Sequence, residues 1–436
     1  MRKLLLLLIL LGFGPNCLIH AQGTPFTLSG PNGVPVPTNS TDGLRSEPAT
    51  TINLRCRVAG SFDYGPCDVS SLAGAGRGLE LLAVGDNSLG TNQLSTSKQS
   101  VASQLAAARG WSLTNRVDDT GPLDRGYHAL GANWDWSRNL GLGTVVLLSG
   151  ANQLSTDLCQ TEGGGACATL TSVHLNLISA EEMAWLTWAG SLEARKTLAA
   201  DCVPAVGAWS PQSSRWLPSF ARYASTAGAS LTCKCPQAST CFVITTVSNG
   251  TAGVFGISVD GTSVSCGFPS GSTSCSNKTD DAVGDPSGTV PVGIVATRIG
   301  GLSLGDHSVS ITVSAGSAGS IGVLGVVAST PTDARPVVLS NYATRIAHTS
   351  PSYSFRTDAL VSVVNAGQDQ DTSTLQRDGF QVVPVRLTCG TPVTESTSCW
   401  EPNSATQTSA DGTTPNQTGG QYATNAILAA LKAAGR

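Results

Sequence analysis

Charge is scarce in this chain. Only 12% of its 436 residues are Asp, Glu, Lys or Arg, about half of the roughly 25% found in an average domain. Lys and Arg number 25 against 29 Asp and Glu, so no basic surplus exists to hold a phosphate backbone or an anionic bilayer. Nucleic acid and membrane surfaces are excluded as expected partners. Long apolar runs are missing as well. After Leu4–Leu11 no stretch approaches the roughly 18–20 continuous apolar residues that a membrane helix needs. Histidine is rare at 5 residues, which limits the general bases available to any mechanism. What the chain has instead is Gly, Ser, Thr and Asn, a composition that suits an extracellular protein with a β-rich part.

The first 21 residues read as a signal peptide. Arg2 and Lys3 form the basic start, Leu4–Leu11 the apolar region, and Ile19-His20-Ala21 a small-residue cleavage site. Cys17 lacks the small residues that precede a lipoprotein cysteine. Cleavage removes two positive charges, taking the formal net charge from −4 to −6, and leaves 12 of the 13 cysteines. Cys56/Cys67, Cys159/Cys167, Cys266/Cys275 and Cys389/Cys399 sit close together, and Cys202, Cys233, Cys235 and Cys241 cluster around one segment. In an exported protein this pattern reads as disulfides closing surface loops. Zinc is the competing reading of Cys233-Lys234-Cys235 with Cys241, but a one-residue spacer does not match a C-x2-4-C half-site. No metal or cofactor is expected. The sequons at Asn39, Asn249, Asn277 and Asn416 matter only in a eukaryotic secretory pathway.

Residues 22–78 are an N-terminal extension, its first part rich in Pro, Gly, Ser and Thr. Strand and helix patterns then alternate through 79–227. Leu79–Val84 is a buried-strand run, Gln99–Arg109 is helical, Trp111–Asn115 and Thr144–Ser149 are strands, and Ser179 with Glu182 forms a capping box ahead of a strong helix. Over 228–330 the period becomes that of short strands separated by Gly, Asp-Gly and Ser-Gly turns, an antiparallel β-sandwich. Alternation resumes over 331–436, with strands at Arg335–Ser340 and Phe380–Leu387, a partly helical Thr357–Leu375 and a final helix at Gln421–Ala434. The expected fold is α/β: a doubly wound, flavodoxin-like parallel sheet interrupted by an antiparallel β-sandwich insertion.

Two short motifs about 325 residues apart carry the chemistry. Leu81–Asn87 reads LLAVGDN, an apolar strand opening into a Gly-Asp turn, and Asp411–Asn416 reads DGTTPN just before the last helix. Together they resemble the first and last blocks of the SGNH (GDSL-type) hydrolases, which read Gly-Asp-Ser and Asp-x-x-His-Pro-Asn. The resemblance extends over residues 79–435. It implies an SGNH-type fold and descent from enzymes that cleave esters, often acyl groups on carbohydrates. It places the second block at Asn115–Gly121 and the third at Gly150-Ala151-Asn152-Gln153. Gly121 then offers a backbone N–H and Asn152 its side chain to an oxyanion, with Asp86 beside them and Asp411 in the acid position. The β insertion is similar to one in some secreted bacterial members.

The departures are chemical. Asn87 stands where the family has its nucleophilic Ser, and Thr414 where it has its His. Neither amide nor hydroxyl can do that work near neutral pH. The expectation is therefore an impaired esterase whose crevice binds a small-molecule or glycan ester ligand. The rival enzyme reading makes Ser88 the nucleophile with a displaced histidine drawn from His128, His174, His307 and His348, of which His128 and His348 are the main candidates and His307 lies in a Gly-Asp-His turn. A third reading is a structural or adhesive extracellular protein. Each motif also has a bland explanation, a Gly-Asp turn ending a strand and an Asp/Pro loop entering a helix. Trp185 and Trp188 lie on an apolar helix face and suit a core, whereas Trp134 and Trp136 in NWDWS suit ligand contact.

Overall fold

The computed structural model describes residues 28–29, 35–36, 55–57, 64–66, 79–85, 89, 100–117, 140–149, 172–211, 220–248, 253–267, 271–276, 291–341, 358–387, 406–407 and 415–436. The chain divides into two compact units, residues 1–80 with 110–112, and residues 81–109 with 113–436. In the first, β1 (Leu28–Ser29) pairs antiparallel with β2 (Pro35–Val36), and β3 (Arg55–Arg57) with β4 (Tyr64–Pro66).

A five-stranded sheet is built from β5 (Glu80–Gly85), β6 (Ser112–Val117), β7 (Thr144–Ser149), β20 (Val337–Asn341) and β21 (Gln381–Val385), in the order β21-β20-β7-β5-β6. β20 runs parallel to both β7 and β21. The Ser112 N–H donates to the Leu79 carbonyl at 3.0 Å, so β5 and β6 start side by side. Central strands of such a sheet are covered on both faces and need no alternation. Leu81 to Val84 and Val145 to Leu148 are accordingly all buried. Pro384, which cannot donate to a ladder, sits on the edge strand β21.

Among the described residues four helices accompany the sheet: α1 (Val101–Arg109), α2 (Ser172–Ala189), α3 (Asp358–Arg377) and α4 (Gln417–Ala433). Leu82, Val84, Val146, Leu148, Val338 and Val382 form one core with Trp185 and Trp188 of α2. The alternate residues Leu81, Ala83, Val145, Leu147 and Leu339 are buried too, outside that core. α1 and α4 pack on each other, with Thr424 Oγ1 donating to the Val101 carbonyl at 3.4 Å and Gln104 Nε2 to the Gln417 carbonyl at 3.2 Å. α2 begins at Ser172, so Ser179 lies well inside it and the expected capping box does not exist. The Ser179 hydroxyl instead donates to Asp371 Oδ1 of α3 at 2.9 Å.

Between β7 and β20 in sequence lie two antiparallel sheets. They use β8 (Lys196–Leu198), β9 (Val203–Val206), β10 (Ser210–Pro211), β11 (Arg222–Ala224), β12 (Ser230–Ala238), β13 (Thr240–Ser248), β14 (Val254–Val259), β15 (Thr262–Ser263), β16 (Cys275–Ser276), β17 (Pro291–Ile299), β18 (Gly305–Val313) and β19 (Ile321–Ser329). The inner sheet runs β10-β11-β19-β13-β17 with β8 on β19, and the outer sheet β15-β14-β18-β12-β9 with β16 on β14. Antiparallel structure thus starts at Lys196, ahead of the change in period at Gly228. The intervening strands are too short to alternate, and β9 is exposed throughout.

The two sheets differ in a way their sequences encode. The long outer strands β12, β14 and β18 alternate, β14 burying every second residue, because one face meets the inner sheet and the other meets solvent. The central inner strands β13 and β19 are buried on both faces, and β19 shows no exposed position in nine residues. Cys241 and Val243 of β13 face the outer sheet with Leu231, Ile257 and Val309. Phe242 and Ile244 between them join Trp188, Phe380 and Val338. One core therefore runs from the inner sheet through α2 to the parallel sheet.

Polar contacts fix the same junction. Asp378, just past α3, accepts from Arg298 Nε at 2.6 Å and Nη2 at 2.7 Å, and Ser329 Oγ donates to its carbonyl. Arg335 is buried across the Phe380 ring, 4.0 Å from its centroid. It donates to Ser191, Ser329 and Asp333. Gly379 has φ +96°, and a Cβ there would collide with the Thr330 carbonyl, so this sharp end to α3 requires glycine. Disulfides Cys202–Cys233, Cys235–Cys241 and Cys266–Cys275 tie the sandwich, which accounts for all four clustered cysteines.

Candidate functional site

Asp86, Asn87 and Ser88 directly follow β5, Asn152 follows β7 by three residues, and Gly121 follows β6 by four. Asp411 and Thr414 precede α4. All seven lie outside the described residues, as do His128, His348, Trp134 and Trp136, and the His174 side chain. What is described is the frame around them. β5 and β7 are neighbours in the sheet, so the segments carrying Asp86–Ser88 and Asn152 leave adjacent strands.

The end of the last motif is described. Asn416 is the N-cap of α4, accepting from the Thr418 N–H at 2.9 Å and the Gly419 N–H at 3.1 Å. Its amide donates to the Thr406 carbonyl at 2.9 Å, and its own N–H to Gln407 at 2.9 Å. Asn416 thus serves the backbone, satisfying donors that a helix start leaves open. At the other end of α4, Arg436 donates to Gln381 Oε1 at 2.6 Å, beside the start of β21.

His307 is the one histidine whose side chain is described, and it is not in a turn. It lies in β18. Its Nδ1 is 2.6 Å from Asp260 Oδ2, and its Nε2 faces the carbonyls of Ser303 at 2.8 Å and Ala238 at 3.2 Å. Both nitrogens face acceptors, an arrangement that favours the doubly protonated ring. The Asp260 carboxylate raises its pKa above the ordinary value. Such a ring has no lone pair to offer a nucleophile. Trp185 and Trp188 are fully buried in the core, with Trp188 stacked on Phe220 at 5.8 Å.

A second polar group escaped the sequence reading. Glu182 was assigned to a helix cap, but it is buried between α2, α3 and β20, where Ser340 Oγ donates to its Oε1 at 3.5 Å. Burial pushes its carboxyl well above the usual range, aided by the nearby Asp371. Burial likewise raises Asp371 to about 6, against the bond from Ser179. The sequence signal was a Glu-Glu pair inside an otherwise apolar helix, MAWLTWA following directly.

No family model matches this chain, and no curated protein matches it in sequence. Among solved structures it is weakly similar to carbohydrate-active proteins. A two-domain esterase active on acetylated mannans is 10% identical with a TM-score of 0.28, covering 60% of this chain and 93% of that one. A family two carbohydrate esterase from Cellvibrio japonicus is 12% identical with a TM-score of 0.21, covering 44% and 51%. The CBM36-1 domain of a multidomain xylanase from the hindgut metagenome of Trinervitermes trinervoides is 9% identical with a TM-score of 0.22, covering 30% and 91%. Likenesses of this size establish neither the fold nor the activity of this chain.

Proposed function

We propose that this is a secreted, SGNH-type doubly wound α/β protein of ester-hydrolase lineage, whose crevice holds an acylated glycan without turning it over efficiently. The observation that carries the reading is strand order. Ranked by chain position within their sheet, β6-β5-β7-β20-β21 are strands 2-1-3-4-5, the flavodoxin-like order. Its switch point falls between the first and third strands, and ligands bind outside the carboxyl ends there. The segments leaving those two strands open with Asp86-Asn87-Ser88 and Gly150-Ala151-Asn152. Burial of alternate residues on both faces of the sheet supports helices on each side. The Arg436–Gln381 bond puts the end of α4 beside the start of β21, and the motif with Asp411 and Thr414 directly precedes that helix in sequence. The three disulfides fit an oxidising compartment.

In this reading Asn152 and the Gly121 N–H polarise an ester carbonyl, and Asp86 and Asp411 contact ligand hydroxyls. Such donors stabilise an oxyanion only once something attacks, and Asn87 and Thr414 supply neither nucleophile nor base. No cofactor takes part. The test is hydrolysis of aryl acetates and acetylated oligosaccharides by the oxidised full chain beside Ser88→Ala, with calorimetric binding of the same oligosaccharides. Binding without turnover, weakened in Asn152→Ala, is the expected result. Turnover that vanishes in Ser88→Ala would make Ser88 the nucleophile and overturn the reading. Absence of any binding would overturn it in favour of a structural or adhesive role.

A further inference from the structure

Independently of the crevice, two acids are buried where α2, α3 and β20 meet, and their hydrogen bonds do not suit anions. Ser340 Oγ of β20 donates to Glu182 Oε1 at 3.5 Å, and Ser179 Oγ of α2 donates to Asp371 Oδ1 of α3 at 2.9 Å. Gln368 of α3 hydrogen bonds Glu182 as well. Among the described residues, however, Glu182 Oε2 and Asp371 Oδ2 are buried with no donor. The arginines on and beside the packed elements have other partners: Arg298 of β17 bonds Asp378, Arg386 just past β21 pairs with Asp369, and Arg377 bonds Thr374. The other ionisable residues of the two helices are His174 and Glu181 on α2 and Asp358 and Asp369 on α3, while β7, β13, β20 and β21 carry no acidic or basic side chain. Asp371 and Asp369 both add negative potential at Glu182. A buried carboxylate accepts only, and without a cation or a full set of donors its charge is costly. A proton removes that charge and turns one oxygen into a donor. Burial shifts both groups in this direction, Glu182 well above the usual range and Asp371 to about 6.

We propose that Glu182 and Asp371 enter the fold as neutral acids and form a pH-sensitive latch, which closes α2, α3 and β20 on one another in a mildly acidic medium and weakens as the medium turns neutral. The sign follows from linkage. Both carboxyls hold their protons more tightly folded than unfolded, so their contribution is fully present below the ordinary carboxyl range and is lost as pH rises through the folded values. The loss starts with Asp371, whose folded value is the one near 6. Ionised Asp371 then places a bare charge beside Glu182, which makes the second ionisation harder and more disruptive.

The test is urea unfolding of the full chain from about pH 4 to 6.5, below the range in which His307 loses its contribution. Glu182→Gln and Asp371→Asn keep the shape of each side chain without its charge, and the difference between parent and variant cancels every other carboxylate. With the Asp371 carboxyl moved from 3.8 to about 6, the folding equilibrium constant of the parent should fall by about fiftyfold relative to Asp371→Asn over that interval. Glu182→Gln should show a further relative gain toward the upper end. The protons are read directly from the carbonyl stretch of protonated carboxyls in infrared spectra at about pH 6, where ordinary Asp and Glu are ionised. A band in the parent that is lost in Glu182→Gln is expected. Should a variant fail to fold, the band in the parent decides. Its absence overturns the proposal, as do profiles that run parallel in parent and variants.

Discussion

Replacing Asp378 with Ala tests whether the sandwich is fastened to the α/β part as described. Arg298 gives Asp378 two charge-assisted hydrogen bonds of 2.6 and 2.7 Å, and the Asp378 side chain is only 6% exposed while that of Arg298 is 35% exposed. Hydrogen bonds to charged groups contribute roughly 1.5–3 kcal/mol each. Arg298 is open enough to regain water once abandoned, which lowers the sum, and a loss of about 3 kcal/mol follows. At roughly 2–4 °C per kcal/mol for large domains, Tm should fall by about 6–12 °C. The pair itself is isolated by a double-mutant cycle with Arg298→Met in urea unfolding, with an expected coupling of about 2 kcal/mol. A coupling under about 0.5 kcal/mol would refute the reasoning, since the two side chains would then hold nothing together.

Two further outcomes are expected. The folded pKa of His307 lies above its ordinary 6.5 because of Asp260, so its stabilisation is fully present below about pH 6.5 and is lost as pH rises through the folded value. The urea midpoint should fall over that window, and Asp260→Asn should flatten the profile; a fall of equal size in the variant would rule the pair out as its source. Cys202 and Cys233 close a span of 31 residues, worth about 3–4 kcal/mol by loop-closure entropy. The double Ala variant should lose stability of that order in urea, and an unchanged midpoint would contradict it.

Elements with a strong local signal were legible from sequence. LLAV and TVVLL read as buried strands because apolar runs that short, bounded by glycine turns, have few other uses. The outer strands of the sandwich alternate as a half-solvated sheet must. Where the reading failed, a distant partner had overridden the local pattern. Ser179 and Glu182 have capping-box spacing, yet both side chains are committed to other elements, Ser179 to Asp371 of α3 and Glu182 to Ser340 of β20, and spacing alone cannot reveal that. β8 to β11 are two to four residues each, and their pairing comes from β12, β19 and one another rather than from their own composition. For the candidate site the sequence supplied the motifs, while the strand order that makes β5 and β7 neighbours is a long-range property. Asn416 shows the reverse case, a motif residue whose described bonds all go to backbone, at the helix start and at Thr406 and Gln407.

The two-sided burial of the inner sheet bears on how this chain arose. An insertion resting on its host through a solvated face can be copied, lost or exchanged by recombination with little consequence. This one contributes Phe242, Ile244, Ile294 and Leu324 to the same core as Trp188 and Val338. Its removal would strip α2 bare, and its transfer would carry an uncovered apolar sheet into the recipient. Substitutions at Phe242 and Trp188 should therefore be coupled to each other across what looks in sequence like a domain boundary.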